Sequence, residues 1–271
     1  MSAAITKHSQ LRRKEMNKKV FSKTAFLSGL LALASMTPVS ALAVPTLNLT
    51  GTIRDFKASH PDFESVIGGL ETGIVKDTLG IDGKPVWSGT GDSSSQFSNE
   101  TNFNQWYRNT SGVNQSTDYT ISLTDPESDG IYTYSNNSFF PIDGMLFGNE
   151  GRSHNYHFTY EIATSFTYQG GETFSFTGDD DVWVFINNQL AVDLGGVHSA
   201  RNGSVNLDTL GLLAGNDYSF NLFFAERHTT ESNFKIETSI LLEDSEPVPE
   251  PSILALLSLG LAGLGFMRRK V

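Results

Sequence analysis

The stretch Gly178-Asp179-Asp180-Asp181-Val182-Trp183-Val184-Phe185-Ile186 decides how this chain is read. Three consecutive carboxylates stop where an apolar run begins. Aspartate is depleted in strands, whereas Val, Ile, Phe and Trp are enriched there. The triple therefore belongs to a loop, and the run after it to a buried strand. Carboxylates packed side by side repel one another and raise their own pKa values, a cost that a bound divalent cation removes. A solvated acidic turn is the plain alternative.

Outward from this stretch the signal stays β. Asn187-Asn188-Gln189 separates the run from residues 190–194, and Asn tolerates positive φ, so a tight hairpin is predicted. Period-two patterns at residues 46–53, 119–123, 130–134, 156–168, 172–177, 204–207, 218–225 and 234–242 predict further strands. Short strands at this spacing predict an all-β fold, a single β-sandwich with long loops. Residues 60–66, with Pro61 in the first turn, predict one short helix. Residues 68–118 are rich in Gly, Ser, Thr, Asn and Asp and predict long loops, pinned by Trp106-Tyr107. Loops of that length carry function or need a ligand to order them. Trp183 lies in a buried pattern and is assigned to the core. Trp87, in a Gly/Ser-rich loop, is the candidate exposed platform for stacking on a sugar.

Both ends read as addresses. Lys18, Lys19 and Lys23 precede an apolar stretch at residues 25–36, followed by Ala41-Leu42-Ala43. That is a secretory signal peptide over residues 1–43, cut after Ala43 by signal peptidase, with Met16 as the expected start. At the other end Val248-Pro249-Glu250-Pro251 leads into an apolar run, residues 253–267, closed by Arg268-Arg269-Lys270. The run falls short of the roughly 20 residues that span a bilayer, and the basic end holds the C-terminus on the cytoplasmic side. The expected parts are a β-domain at 44–242, an acidic linker at 243–251 and a hydrophobic sorting helix at 252–271.

Trimming the ends sharpens the charge. The whole chain is formally −11, but residues 44–250 keep nine Lys/Arg against 29 Asp/Glu, a balance of −20. Such a surface argues against nucleic acid and anionic lipid as partners and favours hard cations with oxygen ligands, Ca²⁺ above all. There is no cysteine, hence no disulfide and no thiol chemistry. No serine nucleophile elbow, HExxH motif or phosphate loop is present, so no catalytic residue is assigned.

Two resemblances extend this reading. The tail resembles the PEP-CTERM sorting signal of Gram-negative bacteria that make extracellular polysaccharide. It implies cleavage near Pro249-Glu250-Pro251 by an exosortase-type enzyme, and delivery to the cell envelope, surface or matrix, with Arg268 and Arg269 as the basic stop. The membrane is then a partner only through the C-terminal segment before processing. The second resemblance rests on Phe174-Ser175-Phe176-Thr177-Gly178 leading into the aspartate stretch, on Val192-Asp193-Leu194-Gly195-Gly196-Val197-His198, and on Phe223-Phe224-Ala225-Glu226-Arg227-His228 with Ser232-Asn233-Phe234. Trp106-Tyr107-Arg108, Phe139-Phe140-Pro141-Ile142-Asp143-Gly144 and His154-Asn155-Tyr156-His157-Phe158-Thr159 add to it. Over residues 49–241 the chain resembles the fibro-slime domain, a relative of the protective-antigen-type β-sandwich found in yeast flocculins and glycosidase accessory modules.

In the flocculin branch two adjacent aspartates, joined by a cis peptide, hold a Ca²⁺ that contacts a sugar diol. Asp179 and Asp180 match that pair, and Asp181 stands where relatives often have Gly. Further ligands come from a later loop, which here starts at Glu226 and includes Asn233, where relatives use Asn-type and backbone oxygens. The resemblance thus implies Asp179, Asp180, Glu226 and Asn233 around Ca²⁺, with Asp181, Asp193, His198 and His228 in the ligand site. The two histidines could instead join Asp179 in a transition-metal site, or be hydrogen-bonded groups closing loops. Arg227 is expected to pair with a carboxylate of the acidic rim. The implied function is a secreted, non-catalytic surface or matrix protein that binds carbohydrate with Ca²⁺, its partner an extracellular polysaccharide or glycan. A structural matrix component with no glycan binding is the alternative.

Overall fold

The computed structural model describes residues 43–64, 68–89 and 96–244. Ten strands carry the architecture: β1 Thr46–Phe56, β2 Asn114–Thr124, β3 Tyr132–Asn136, β4 Phe158–Thr167, β5 Thr173–Gly178, β6 Asp181–Ile186, β7 Gln189–Leu194, β8 Arg201–Asn206, β9 Asp217–Glu226 and β10 Phe234–Thr238. Among the described residues helix is scarce, with α1 at Glu100–Phe103 and a 3-10 turn at Leu207–Leu210. All ten strands join one antiparallel sheet in the order β7-β6-β9-β4-β1-β2-β3-β10-β5-β8. The sheet curls until its end strands meet. Gly203 of β8 lies so close to β7 that a Cβ there would stand 2.6 Å from Val192 Cγ1. The expected all-β sandwich thus takes the form of one nearly closed sheet.

The inside of the curl is filled by Leu49, Ile53, Tyr160, Phe176, Val184, Phe224, Phe234 and their neighbours. A second apolar cluster sits on the opposite face of β6 and β9. Alternation explains both: Val182, Val184 and Ile186 face the inner core, while Trp183 and Phe185 face the second cluster. All six residues of β6 are buried. The five from Val182 to Ile186 face one core or the other and are apolar without a break, while Asp181, expected in the loop with the rest of the aspartate triple, is the first residue of the strand.

Over their described part residues 68–113 are mostly ordered loops, pinned as expected by buried Trp106 and Tyr107, and the second cluster shows what they do. Val75, Trp87, Phe97, Phe103 and Trp106 pack against Trp183 and Phe223 and cover the outer face of the sheet. α1 belongs to this cover, and its start is capped by the Asn99 side chain accepting from Asn102 N–H. β2 starts at Asn114, before the expected 119, because β1 pairs with it along its whole length. The short helix expected from residue 60 is a pair of turns over its described part. His60 Nδ1 accepts from Asp62 N–H at 3.2 Å, and Glu64 takes a φ of 49°, so side-chain bonding replaces the helical ladder. The Asn hairpin forms as expected, with φ of 52° at Asn187 and 61° at Asn188 and Ile186 paired with Gln189.

Register fixes two ends of the molecule. Phe158 pairs with Glu226 and Asp181 with Ala225 at one end, while Thr167 pairs with Asp217 and Thr46 with Thr124 at the other. Asp244 Oδ1 accepts from Asn48 N–H, so both described chain ends lie at this second end. Ala43 is exposed there. Pro249, Glu250, Pro251, Arg268 and Arg269, the expected sorting helix and residues 1–42 lie outside the described residues. Among the described residues no helix is long and apolar enough to cross a membrane.

Candidate functional site

β5 ends at Gly178 and β6 starts at Asp181, so Asp179 and Asp180 form the corner between them. Gly178 is required there: a Cβ would stand 2.2 Å from the Asn233 carbonyl oxygen. The Asp179–Asp180 peptide is cis, as the resemblance implies. Each carboxylate is held by backbone from a different segment. Asp179 accepts from Asn233 N–H at 2.6 Å and from Asn233 Nδ2 at 2.8 Å. Asp180 accepts from His198 N–H at 3.2 Å and from Arg227 N–H at 2.9 Å. The corner thus ties together the segments after β7 and after β9.

Asp181 does something else. Its carboxylate is fully buried and accepts from Arg227 Nε at 2.6 Å and Gly196 N–H at 2.5 Å. Arg227 is also fully buried. Its Nη1 donates to the Asp62 carbonyl at 3.0 Å and the Gln96 carbonyl at 2.8 Å. Its guanidinium carbon lies 4.6 Å from the Phe97 ring centre and 4.8 Å from that of Trp106. The expected carboxylate partner of Arg227 is therefore Asp181, deep in the protein and not on a rim. Asp181 is removed from the ligand site for the same reason.

Burial governs the charges of the corner. It pushes Asp180 up to about 8, with the Arg227 charge opposing and the Asp181 and Asp179 charges reinforcing. Asp179 is raised by burial against the pull of Asn233. Glu226, 1% exposed, is pushed well above the ordinary carboxylate range by burial and by the charges of Asp180 and Asp179. Its Oε1 accepts weakly from His228 N–H at 3.4 Å, while the buried Oε2 has no hydrogen-bond partner. A buried oxygen left in this state costs about 1–3 kcal/mol.

Beside the corner opens a cavity of about 370 Å³, with Asp179, Asp180, His198, Arg201, His228 and Glu231 on its walls. That volume is within the roughly 300–1,000 Å³ of small-molecule pockets. His198 and His228 reach the cavity as expected, but their Nδ1 atoms face the carbonyls of Ser199 at 2.9 Å and Thr229 at 3.0 Å. Both thereby close loops. Glu226 and Asn233 adjoin the Asp pair without lining the cavity. His154 and His157 lie elsewhere, bonded to Asp143 and Glu64.

Two candidates are displaced. Asp193 accepts from Trp183 Nε1 at 3.0 Å and Gly73 N–H at 2.7 Å, fastening the outer cover to β7. Trp87 is 4% exposed and packs edge-on against Phe97 and Phe103 at 5.8 and 5.6 Å. A ring buried on both sides offers no face to a sugar. Arg201 and Glu231 were not legible as site residues. Arg201 reaches the corner only because β8 pairs with β5, placing it opposite Gly178.

The donors suit a hard cation. They are carboxylate and amide oxygens, which Ca²⁺ prefers over softer transition metals. Among the described residues no three His, Asp or Glu side chains converge as a finished metal centre. The fit rests on the crowded buried carboxylates and the unpartnered Glu226 oxygen.

Similarity to known proteins follows the same region. Protein psiR of Dictyostelium discoideum is 45% identical over 211 residues, covering 72% of this chain and 21% of that protein. Protein psiQ of the same organism is 46% identical over 202 residues, covering 69% and 20%. The chain spans less than half the length of the curated relatives it matches. Among solved structures, the A domain of Epithelial Adhesin 9 from Candida glabrata aligns with a TM-score of 0.31 and 14% identity, covering 73% of this chain and 92% of that one. So slight a likeness carries no argument about the site. Residues 148–250, which hold β4 to β10 and every residue of the Asp179–Asp180 corner, match the PA14 domain family, and residues 247–270 match the PEP-CTERM protein-sorting motif.

Proposed function

We propose that this is an exported, non-catalytic surface or matrix protein whose β-domain, of fibro-slime type, binds carbohydrate through a Ca²⁺ at Asp179 and Asp180. Glu226 and Asn233 are the further ligands in this reading. The observation that carries it is the unpartnered Glu226 Oε2, buried beside two raised carboxylates at a solvent-open cavity. A dication would relieve the repulsion and supply the missing partner, and its open positions would take sugar hydroxyls. The PEP-CTERM match supports export, with an exosortase-type enzyme cutting near Pro249-Glu250-Pro251 and a surface or matrix destination.

The test is calorimetric titration of Ca²⁺ into the full-length, chelator-stripped chain beside the Asp179→Ala/Asp180→Ala variant, followed by a glycan array with and without Ca²⁺. Uptake by the wild type alone, with Ca²⁺-dependent glycan signal, is the expected result. Equal uptake by both proteins would sink the assignment of the site. A specific observation favours one second reading. Asp179, Asp180 and Asp181 already tie the segments around Asn233, His198 and Arg227 together, so a cation could serve only to rigidify them in a structural matrix component. Ca²⁺ uptake with a blank array would select that reading.

A further inference from the structure

The same cavity carries a sign of what kind of sugar it takes. Residues 44–250 hold only nine Lys/Arg among 29 Asp/Glu. Six of the nine, Arg54, Lys84, Arg108, Arg152, Arg227 and Lys235, each face a carboxylate within 4 Å. In so acidic a protein partners for a guanidinium are plentiful. Arg201, on the cavity wall, nevertheless makes no ion pair and no side-chain hydrogen bond among the described residues.

Arg201 is exposed, and of the three Lys/Arg without a carboxylate partner among the described residues, Lys57, Lys76 and Arg201, it alone lines this cavity, where the fold sets its position. Arg201 is the first residue of β8 and pairs with Gly178, the residue before Asp179. Paired strands run roughly 5 Å apart, so its backbone is held next to the aspartate corner, and its side chain and the Asp pair share one cavity. The opposite charge on the wall, Glu231, adds to the negative potential at Asp179. It therefore belongs with the group that a dication would neutralise, which leaves Arg201 as the uncompensated charge.

A guanidinium presents a planar fork of donors matched to a carboxylate, and the pair is among the stronger hydrogen-bonded contacts. A neutral sugar would leave that fork facing hydroxyls alone. We infer that the sugar unit taken by this site carries a carboxylate, that is, a uronic acid, with Arg201 gripping the carboxylate while the cation takes hydroxyls of the same ring. This rests on the cation-and-carbohydrate reading given above and makes Arg201 its specificity-determining residue. Val197, also on the wall, gives the ring an aliphatic contact.

The probes are methyl galacturonoside against methyl galactoside and methyl glucuronoside against methyl glucoside. Monosaccharides are used because polyuronates sequester Ca²⁺ themselves. Binding to the full-length chain is read by saturation-transfer NMR and calorimetry in Ca²⁺, for the wild type, Arg201→Gln and Arg201→Lys. The uronides are expected to bind about tenfold or more tighter than their neutral partners, the scale of a charged hydrogen bond. Arg201→Gln should erase that preference, and Arg201→Lys should restore part of it. Calcium uptake, measured separately, should persist in both variants and be no weaker than in the wild type, because neither substitution adds positive charge beside the cation; that also shows that they fold. Equal affinity for charged and neutral sugars in the wild type overturns the inference and leaves the carbohydrate reading standing. So does a preference that survives Arg201→Gln. Ca²⁺ uptake with no binding of either sugar class overturns both.

Discussion

Arg227 is wholly buried, yet its guanidinium finds Asp181, two carbonyls and two aromatic rings. Removing one member of such a pair strands the other in a medium that cannot solvate it. Asp181 is thus explained as the counter-charge of Arg227. Glu226, the residue before Arg227, is the contrast, because no cation faces it among the described residues and its buried Oε2 makes no hydrogen bond, with only the Ser232 hydroxyl and His228 N–H opposing the rise in its pKa. The difference separates a charge satisfied within the fold from one that the proposed cation would neutralise. A third buried acid gives a test through pH. Asp55 accepts from Asn155 Nδ2 at 2.9 Å and Phe147 N–H at 2.7 Å, and so holds the segment before β4 against β1. Burial pushes it from 3.8 up to about 6, with those two bonds opposing and Glu150 reinforcing. A raised carboxyl favours the protonated folded form. Its contribution is complete below the unfolded value and is lost as pH rises through the folded value. Melting temperature should therefore fall between about pH 4 and about pH 6 through Asp55, and Asp55→Asn should flatten that part of the profile relative to wild type. Parallel profiles for the two proteins would refute the assignment.

At the scale of elements, β6 is the pivot. Five of its six residues serve two cores, Asp181 pairs with Arg227, and the corner before it carries the candidate site. The run from Val182 to Ile186 shows in the sequence as a buried strand because no polar residue interrupts it. The Asn187-Asn188 turn shows as well, because positive φ selects Asn. The outer cover does not show. Trp87 follows Gly83-Lys84-Pro85-Val86 and precedes Ser88-Gly89-Thr90, a composition that reads as an exposed loop. Only Phe97 and Phe103, brought to it by the tertiary fold, bury it. Trp87→Ala should accordingly cost about 3–5 kcal/mol of stability, read by chemical denaturation, with Ca²⁺ affinity of the folded fraction unchanged. Unchanged stability together with lost sugar binding would return Trp87 to the role of a platform. The cover also fastens to the site: Gln96 Oε1 accepts from Val197 N–H at 2.7 Å, and Gln96 Nε2 donates to the Gly69 carbonyl at 2.9 Å.

Across the whole molecule, the strands set the distance between address and site. β4 has 10 residues, roughly 33 Å at strand rise, and joins the end that holds Glu226 to the end that holds both described termini. The Asp179–Asp180 cavity therefore faces away from the point where the chain leaves toward residues 247–270. A folded protein fused just before Val44 should leave Ca²⁺ uptake unaltered, while the same protein inserted between Thr230 and Glu231 should reduce it strongly. Calorimetry on the two fusions checks this, and loss of uptake in the first would contradict the arrangement. The sequence by itself determined the strand character, the Asn hairpin, the aspartate corner and the C-terminal sorting motif, because each is written in neighbouring residues through local sterics, hydrophobic period or composition. The tertiary structure alone decided that Asp181 serves Arg227, that Trp87 and Asp193 belong to the outer cover, and that Arg201 shares a cavity with Asp179. Those roles depend on strand pairings and packing between residues far apart in the chain, where burial and charge are set by partners that no local pattern names.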